Sequence, residues 1–254
     1  MQGKTPLFVA ALLTWIAGFV DAVGFLALGQ IYTANMSGNS VSLGIHISWV
    51  DWQAAAGRAW PVGAYLAGLL FSRLLIQFGA RREIRNIASL AIVCELALLG
   101  PVWMGRPPFP QSPSDYSIPY VGLLAASMGI QNAALTRFSS LTLHTGFVTG
   151  TLVKLAEEFA KYLTWVWDNL GARTQTITGV MRDSFHQKAF HVSVWLGAIW
   201  ATYVVGAVGG ALATTQSGLK SLAVPIVLLC IVIAVDVYRP LGLRDEQVQS
   251  DLSR

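Results

Sequence analysis

Six long apolar runs constrain what this chain can fold into more than any other feature of its sequence. Each run is long enough to cross the hydrocarbon core of a bilayer, which takes roughly 17 to 25 apolar residues in a helix. The hydrophobic fraction is 54% and the charged fraction only 12%, which is far from the composition of a soluble domain. We therefore predict an all-α, polytopic membrane protein. The runs cover residues 6–29, 60–80, 86–104, 118–137, 191–214 and 219–238.

Basic residues are unevenly distributed over the segments between these runs. If each run crosses once, the segments 81–85 and 161–190 and both ends of the chain share one side, and they hold most of the lysines and arginines. The side richer in basic residues is cytoplasmic by the positive-inside rule. We therefore predict a multi-pass membrane protein with both termini in the cytoplasm and the proline-rich stretch 105–117 outside.

The composition also argues against several other classes of protein. The net charge of +4 comes from basic residues scattered over the loops, whereas a nucleic-acid surface gathers them with aromatic residues, so we expect no nucleic-acid partner. The two cysteines, Cys94 and Cys230, lie inside apolar runs without metal-ligand spacing. The sequence contains no nucleophile elbow, zincin or P-loop motif. We therefore expect neither an enzyme nor a cofactor or metal.

The second half of the chain echoes the first. Each half contains one long apolar run, then a short segment led by polar residues, then two more long runs. Because three crossings is an odd number, the second half must be inserted upside down relative to the first. Three pairs of similar segments indicate this internal repeat, at offsets of 111, 112 and 143 residues. They are GFVDAV (18–23) with GIQNAA (129–134), SGNSVSLG (37–44) with TGTLVKLA (149–156), and VGA (62–64) with VGA (205–207).

This organisation predicts two inverted repeats within a single membrane domain. Inverted repeats recur in transporters and channels, where the binding site lies near the bilayer midplane at the junction of the two halves. The predicted parts are repeat 1 over 6–104, repeat 2 over 118–238 with a cytoplasmic insertion at 161–190, and a polar cytoplasmic tail over 239–254.

Three segments resemble a known family of bacterial inner-membrane proteins. They read GFVDAVGFLALGQIYTANMSGN, GIQNAAL and FVTGTLVKLA, and they are similar to the YoaK family, also called domain of unknown function 1275. The resemblance covers essentially the whole chain. It implies a six-helix fold in the bacterial inner membrane and no particular substrate.

The two short segments, 37–50 and 149–162, are predicted to be re-entrant half-helices. Residues 30–36 descend from the outside in an extended form, and a helix from Ser37 then climbs back, so the chain returns to the side it left. A second half-helix starts at Thr149 and runs toward the cytoplasm. Serine and threonine are good N-cap residues, and we expect the two helix starts to approach each other near the bilayer centre.

A helix start inside a membrane has spare N–H donors and a positive partial charge. Such a start favours an anion or a polar group of a solute and persists only inside protein or beside water. We therefore predict a midplane site for a small polar or anionic solute. Asp21 and Glu95 are candidates for a proton relay. The predicted solute-binding residues are Asp21, Asn35, Ser37, Gly38, Asn39, Gln131, Asn132, Thr149, Gly150 and Thr151.

Each of these residues also has a purely structural interpretation. Small residues permit close helix packing in membranes. Asp21 is either a site residue or a buried partner of the first half-helix, and Glu95 either relays protons or is neutral and hydrogen-bonded to a neighbouring helix. A scaffold, regulatory or lipid-handling protein is therefore the alternative to a transporter or channel. Membrane lipids are expected partners in both cases, and self-association into a homo-oligomer stays open.

Overall fold

Helices make up nearly all of the structure. A computed structural model describes residues 4–82, 84, 86–105, 117–138, 148–171 and 177–238, and these form nine α-helices and one 3₁₀-helix. The predictions for the proline-rich stretch at 106–116 and the tail at 239–254 lie outside the described residues. The helices are α1 (Lys4–Ala27), α2 (Met36–Ser48), α3 (Trp52–Arg81), α4 (Ile87–Met104), α5 (Ser117–Phe138), α6 (Val148–Gly171), α7 (Ile177–Ser184), α8 (Lys188–Ser217), the 3₁₀-helix (Gly218–Leu222) and α9 (Ala223–Tyr238).

Five helical stretches of the described residues are long and apolar enough to cross a membrane, which agrees with a multi-pass membrane protein. The last of them, Lys188–Tyr238, has 51 residues and includes both α8 and α9. Gly218 interrupts it with a φ of +56°, a conformation that glycine adopts readily. The five stretches are Leu7–Ala27, Trp52–Arg81, Ile87–Met104, Ile118–Leu135 and Lys188–Tyr238.

The second of the two short segments is longer than predicted. Helix α2 has 13 residues, whereas α6 continues through Gly171 and has 24, or about 36 Å at ~1.5 Å per residue. The prediction of two short half-helices is therefore wrong for the second segment. Charged residues such as Lys154 and Lys161 lower the average hydropathy of α6, and an average over consecutive residues hides the apolar stripe of an amphipathic helix.

Helices α1 and α8 lie side by side and run in the same direction. A Cβ built on Gly206 would lie 2.1 Å from the carbonyl oxygen of Trp15, and one on Gly210 would lie 2.4 Å from that of Phe19. Gly18 makes the reciprocal approach, since its Cβ would lie 2.1 Å from the carbonyl oxygen of Tyr203. Any side chain would clash with the facing backbone at such distances, so only glycine permits this contact.

Helices α3 and α5 form a second parallel pair with the same kind of contact. A Cβ on Gly68 would lie 2.1 Å from the carbonyl oxygen of Ala126, and one on Gly129 would lie 2.2 Å from that of Tyr65. At the start of the pair the indole N–H of Trp60 donates to the carbonyl of Ile118 at 2.9 Å.

The two pairs run in opposite directions. The end of α1 lies at the start of α3, because the Arg58 guanidinium donates to the carbonyl of Gln30 at 2.6 Å. The start of α4 meets the end of α9, where the Ser89 hydroxyl donates to the Asp236 carboxylate. Helices α1 and α5 lie at the centre, with 67% of each span buried against 28–39% for the other spans.

The glycine contacts predict that an added methyl group lowers stability at Gly206 but not at Gly197. Gly206→Ala places a methyl group against the Trp15 backbone, so we expect it to lower the melting temperature, with a cost of roughly 1 to 3 kcal/mol from overpacking. Gly197→Ala is the matched control, because a Cβ at Gly197 on the same helix meets no atom within 4 Å. Thermal unfolding of the purified variants measures the difference, and equal melting temperatures would contradict the assigned contact.

Candidate functional site

The connection between α1 and α2 brings irregular backbone into the helix bundle. Its N–H and C=O groups need partners there, because hydrocarbon supplies none. The Asp21 Oδ1 atom accepts hydrogen bonds from the backbone N–H groups of Thr33 and Ala34, both at 2.6 Å. Gly24 lets the connection pack against α1, since a Cβ there would lie 2.5 Å from the Thr33 methyl group. Asp21 thus fixes the chain immediately before α2 begins.

The second oxygen of Asp21 links this connection to α8. The Tyr203 hydroxyl donates to Asp21 Oδ2, and Asp21 itself is buried. Both carboxylate oxygens therefore have protein partners. This geometry matches the interpretation of Asp21 as a buried partner of the chain entering α2, and contact between Asp21 and a solute stays a prediction.

Asn39 stabilises the same connection from the side of α2. Its Oδ1 atom accepts from the Tyr32 N–H at 3.1 Å, and its Nδ2 atom donates to the Tyr32 carbonyl at 2.6 Å. Gly38 leaves space for the Tyr32 ring, because a Cβ there would lie 2.9 Å from a ring carbon. Asn39 and Gly38 therefore hold the backbone and ring of Tyr32 in place.

Helix α2 begins earlier than predicted. Its N-cap is Asn35, whose side chain makes no capping hydrogen bond, and Ser37 lies in the first turn, where its hydroxyl donates to Asn35 Oδ1 at 2.6 Å. The prediction of Ser37 as N-cap is wrong, because the N-cap position is occupied by Asn35, directly after the backbone that Asp21 holds at Thr33 and Ala34. Backbone N–H groups of the first turn remain without a side-chain cap and are available to a polar group.

Helix α5 carries two amides, Asn132, which corresponds to Asp21 in the internal repeat, and its neighbour Gln131. Gln131 is buried and donates from Nε2 to the carbonyl of Leu13 at 2.6 Å, while its Oε1 atom has no partner in the described part of the chain. Asn132 donates from Nδ2 to the Tyr65 hydroxyl at 2.7 Å. Both amides therefore link α5 to neighbouring helices.

Helix α6 begins at Val148, so Thr149 lies within its first turn and is not the N-cap. Thr149 and Gly150 are exposed, and Thr151 is buried. The side chain of Leu155 packs beside Leu196 and Ile199 of α8, and the Tyr162 ring lies 5.3 Å from that of Phe190. Helix α6 therefore runs antiparallel to α8, and its start lies beside the middle of α8.

The structure brings some of the predicted residues together and leaves others apart. Asp21, Asn35, Ser37, Gly38 and Asn39 form one cluster around the start of α2. Helix α2 packs against α3, while α6 packs against α8. The approach of the two helix starts stays a prediction.

Glu95 is buried in the interior of the bundle. Neither carboxyl oxygen has a hydrogen-bond partner among the described residues, so the predicted bond to a neighbouring helix is not observed there. Burial without a partner is costly for a carboxylate and much less so for a neutral carboxylic acid. The described residues also contain no cluster of His, Cys, Asp or Glu side chains that could hold a metal ion.

Two tyrosines that were not predicted from the sequence are partners of the polar residues. Tyr65 and Tyr203 bind Asn132 and Asp21 through their hydroxyl groups. A signal for them was present, because each tyrosine precedes a packing glycine by three residues. The two segments read YLAG at 65–68 and YVVG at 203–206.

The contacts of Asp21 predict which of two substitutions lowers the melting temperature more. Asp21→Leu leaves the Thr33 and Ala34 N–H groups without an acceptor, which costs roughly 1 to 3 kcal/mol for each group. Asp21→Asn keeps one oxygen for them and presents an amide to Tyr203, as Asn132 does to Tyr65. We therefore expect Asp21→Leu to lower the melting temperature well below that of Asp21→Asn. Similar losses for both variants would show that the charge, rather than the acceptor, stabilises the connection.

Comparison with known proteins places this chain in a family. The chain is 27% identical over 150 residues to the UPF0700 transmembrane protein YoaK of Bacillus subtilis (strain 168), a match covering 59% of this chain and 65% of the relative, just under two thirds of its length. No solved structure matches the chain. A family model described as "Protein of unknown function (DUF1275)" matches residues 9–235. The chain, a multi-pass membrane protein, belongs to the DUF1275 family, to which its sequence motifs pointed.

Proposed function

We propose that this protein is a transporter or channel for a small polar or anionic solute, built from two inverted repeats with six crossings. The observation that carries the proposal is a repeated polar contact. Asp21 binds Tyr203 and Asn132 binds Tyr65, so a contact between α1 and α8 recurs between α5 and α3.

The glycine contacts repeat in the same register. Gly18 meets Tyr203 as Gly129 meets Tyr65, and Gly206 meets Trp15 as Gly68 meets Ala126. In this correspondence α1 and α5 are offset by 111 residues, and α3 and α8 by 138. The proposed repeat therefore uses 138 in place of the offset of 143 that the VGA match gave.

The directions of the helices support an inverted repeat and six crossings. Helix α1 ends where α3 and α5 begin, so α1 and its counterpart α5 run in opposite directions. Two halves related in this way share a twofold axis in the membrane plane. Helix α9 runs opposite to α4, and the turn at Gly218 separates it from α8. Helices α8 and α9 then count as separate crossings.

A broken element inside the bundle supports a solute site. Helix α2 starts beside Asp21, with first-turn N–H groups that have no side-chain cap, and α6 starts beside the middle of α8. In transporters with inverted repeats, such interrupted elements bind the solute. The proposed solute-binding set around these starts comprises Asn35, Ser37, Gly38, Asn39, Thr149, Gly150 and Thr151, with Asp21, Gln131 and Asn132 beside it.

The Asp21 carboxyl group bears on which solutes fit. When it is ionised, a carboxylate held against the start of α2 opposes a second negative charge at that place and attracts hydrogen-bond donors. Within the proposed class, solutes that present an N–H or O–H group to this half of the site are therefore favoured. Asp21 and Glu95 are the carboxyl groups that we propose for a proton relay.

A scaffold or lipid-handling protein is the second candidate, and the contacts of Asp21 favour it. Both oxygens of Asp21 and the amide of Asn39 are engaged in holding the α1–α2 connection, and a structural role explains these bonds without a solute. The two candidates differ in one physical requirement. Transport needs a water-accessible path to the helix starts, whereas scaffolding does not.

Thiol accessibility tests for this path. In a Cys94→Ala, Cys230→Ala background, we expect Ser37→Cys and Thr149→Cys to react with a membrane-impermeant maleimide, because a solute site must be reached from water. Leu70→Cys is the control, since Leu70 is 58% exposed on an apolar face of α3 and should face lipid. Solutes that raise the melting temperature in a thermal-shift screen are then tested for uptake into liposomes.

Reactivity of Ser37→Cys and Thr149→Cys no greater than that of Leu70→Cys would contradict a solute path and favour the scaffold. Labelling without uptake of any solute that stabilises the protein would also count against transport. Labelling followed by uptake of such a solute is the result expected for a transporter or channel.

The six-crossing arrangement has its own test in intact cells. In the same cysteine-free background, Gln53→Cys should react with an impermeant maleimide added outside, and Asp183→Cys should react only after the membrane is permeabilised. The expectation follows from the number of crossings between the two positions and from the basic side being cytoplasmic. Labelling of Asp183→Cys from outside would contradict the proposed topology.

A further inference from the structure

A cavity of about 420 Å³ lies at the end of the bundle where α1 ends and α3 and α5 begin. This is the outer end in the predicted orientation. The cavity is largely apolar, and its size is within the range of small-molecule sites. The apolar wall consists of Leu28, Ile31, Ala54, Trp60, Ile118 and Val121.

Arg58 supplies the cavity with a cation. Its guanidinium lines the cavity and donates one hydrogen bond to the carbonyl of Gln30 at 2.6 Å. A guanidinium carries five N–H donors, and within the described residues no carboxylate lies within ion-pair distance of Arg58. Arg58 therefore has both charge and hydrogen-bonding capacity to spare.

The acidic residue on the cavity wall is already engaged. Asp51 caps α3 by accepting from the Ala54 N–H at 3.1 Å, and its other oxygen lies 3.7 Å from Nδ1 of His46. The His46 Nδ1 atom is buried and makes no hydrogen bond to described residues. The negative charge of Asp51 is thus partly satisfied by Ala54 and His46, while Arg58 remains available to a ligand.

We propose that this cavity binds a small organic anion with an apolar body, of the kind represented by a medium-chain monocarboxylate. The anionic group binds the Arg58 guanidinium, which presents paired donors to a carboxylate. The apolar body packs against Trp60, Ile118 and Val121. The same chemistry, an anionic group on an apolar body, also describes an anionic phospholipid, so the test separates these two sources.

The site is distinct from the proposed midplane site. The residues Leu28, Gly29 and Ile31 of the α1–α2 connection form its wall, whereas Asp21 binds the later part of that connection. Binding to this cavity is measured without any transport of solute across a membrane. Failure of this inference therefore leaves the proposed function untouched, and failure of transport leaves the cavity site intact.

Octanoate is the probe, with octanamide as its uncharged counterpart. In purified full-length protein in a neutral detergent, we expect saturable octanoate binding by isothermal titration calorimetry and weaker binding of octanamide. Arg58→Gln should weaken octanoate binding by about tenfold or more, since a charge-assisted hydrogen bond contributes roughly 1.5 to 3 kcal/mol. Arg73→Gln, on the same helix and away from the cavity, should bind like wild type.

A second variant keeps Arg58 and fills the cavity. Gly57 lines the cavity, and a Cβ there meets no atom within 4 Å, so Gly57→Leu should fold and exclude octanoate. Gly63→Leu is the matched control, because Gly63 on the same helix is equally open and does not line the cavity. Loss of binding in Gly57→Leu and retention in Gly63→Leu are the expected results.

Nanodiscs separate a free anion from a lipid. If the natural occupant is an anionic phospholipid, octanoate binding will be weaker in phosphatidylglycerol nanodiscs than in phosphatidylcholine nanodiscs, and Arg58→Gln will remove that difference. Equal octanoate binding in both nanodiscs assigns the cavity to a free anion. Either result supports the anion site. Octanoate binding that is unchanged in Arg58→Gln and Gly57→Leu, or absent from wild type, would overturn it.

Discussion

The fold depends on satisfying the irregular backbone of the α1–α2 connection inside the helix bundle. Helix α2 can start within the bundle only because the chain leading into it finds hydrogen-bond partners there. Asp21 accepts from Thr33 and Ala34, and Asn39 pairs with both backbone groups of Tyr32. Each unsatisfied group in hydrocarbon costs several kcal/mol, so a few side chains decide whether this connection enters the bundle at all. The polar residues of the NMSGN segment are therefore first a structural requirement, and any solute site is built upon it.

Close contact through glycine positions these polar groups. Backbones of α1 and α8 approach so closely at Gly18 and Gly206 that the Tyr203 hydroxyl reaches Asp21. The α3 and α5 pair has the same geometry, yet Asn132 replaces the carboxylate there. One half thus carries a carboxyl group and the other an amide, which makes the proposed midplane site chemically asymmetric although the helix contacts repeat.

The sequence predicted the helices well where hydropathy alone defines them. The six apolar runs coincide with α1, α3, α4, α5, α8 and α9, because burial in lipid requires continuous apolar surface. It failed for α6, where the apolar residues form a stripe and the charged residues lie beside it. It also misplaced the start of α2, since asparagine and serine are about equally favoured at N-caps and residue type alone does not decide between Asn35 and Ser37. The tyrosine partners were missed because hydropathy and spacing do not identify which helices are neighbours.

The sequence by itself determined that this chain is a multi-pass membrane protein of the DUF1275 family and that its polar residues gather around GFVDAV, NMSGN and GIQNA. Those conclusions rest on composition and local pattern, which do not depend on how the helices are arranged. Only the tertiary structure decided that α1 pairs with α8 and α3 with α5, that Asp21 supports backbone, and that Arg58 faces a cavity between three helices. These are contacts between residues as far apart as 182 positions, and their selection depends on which helix surfaces pack most closely, which is a property of the assembled bundle.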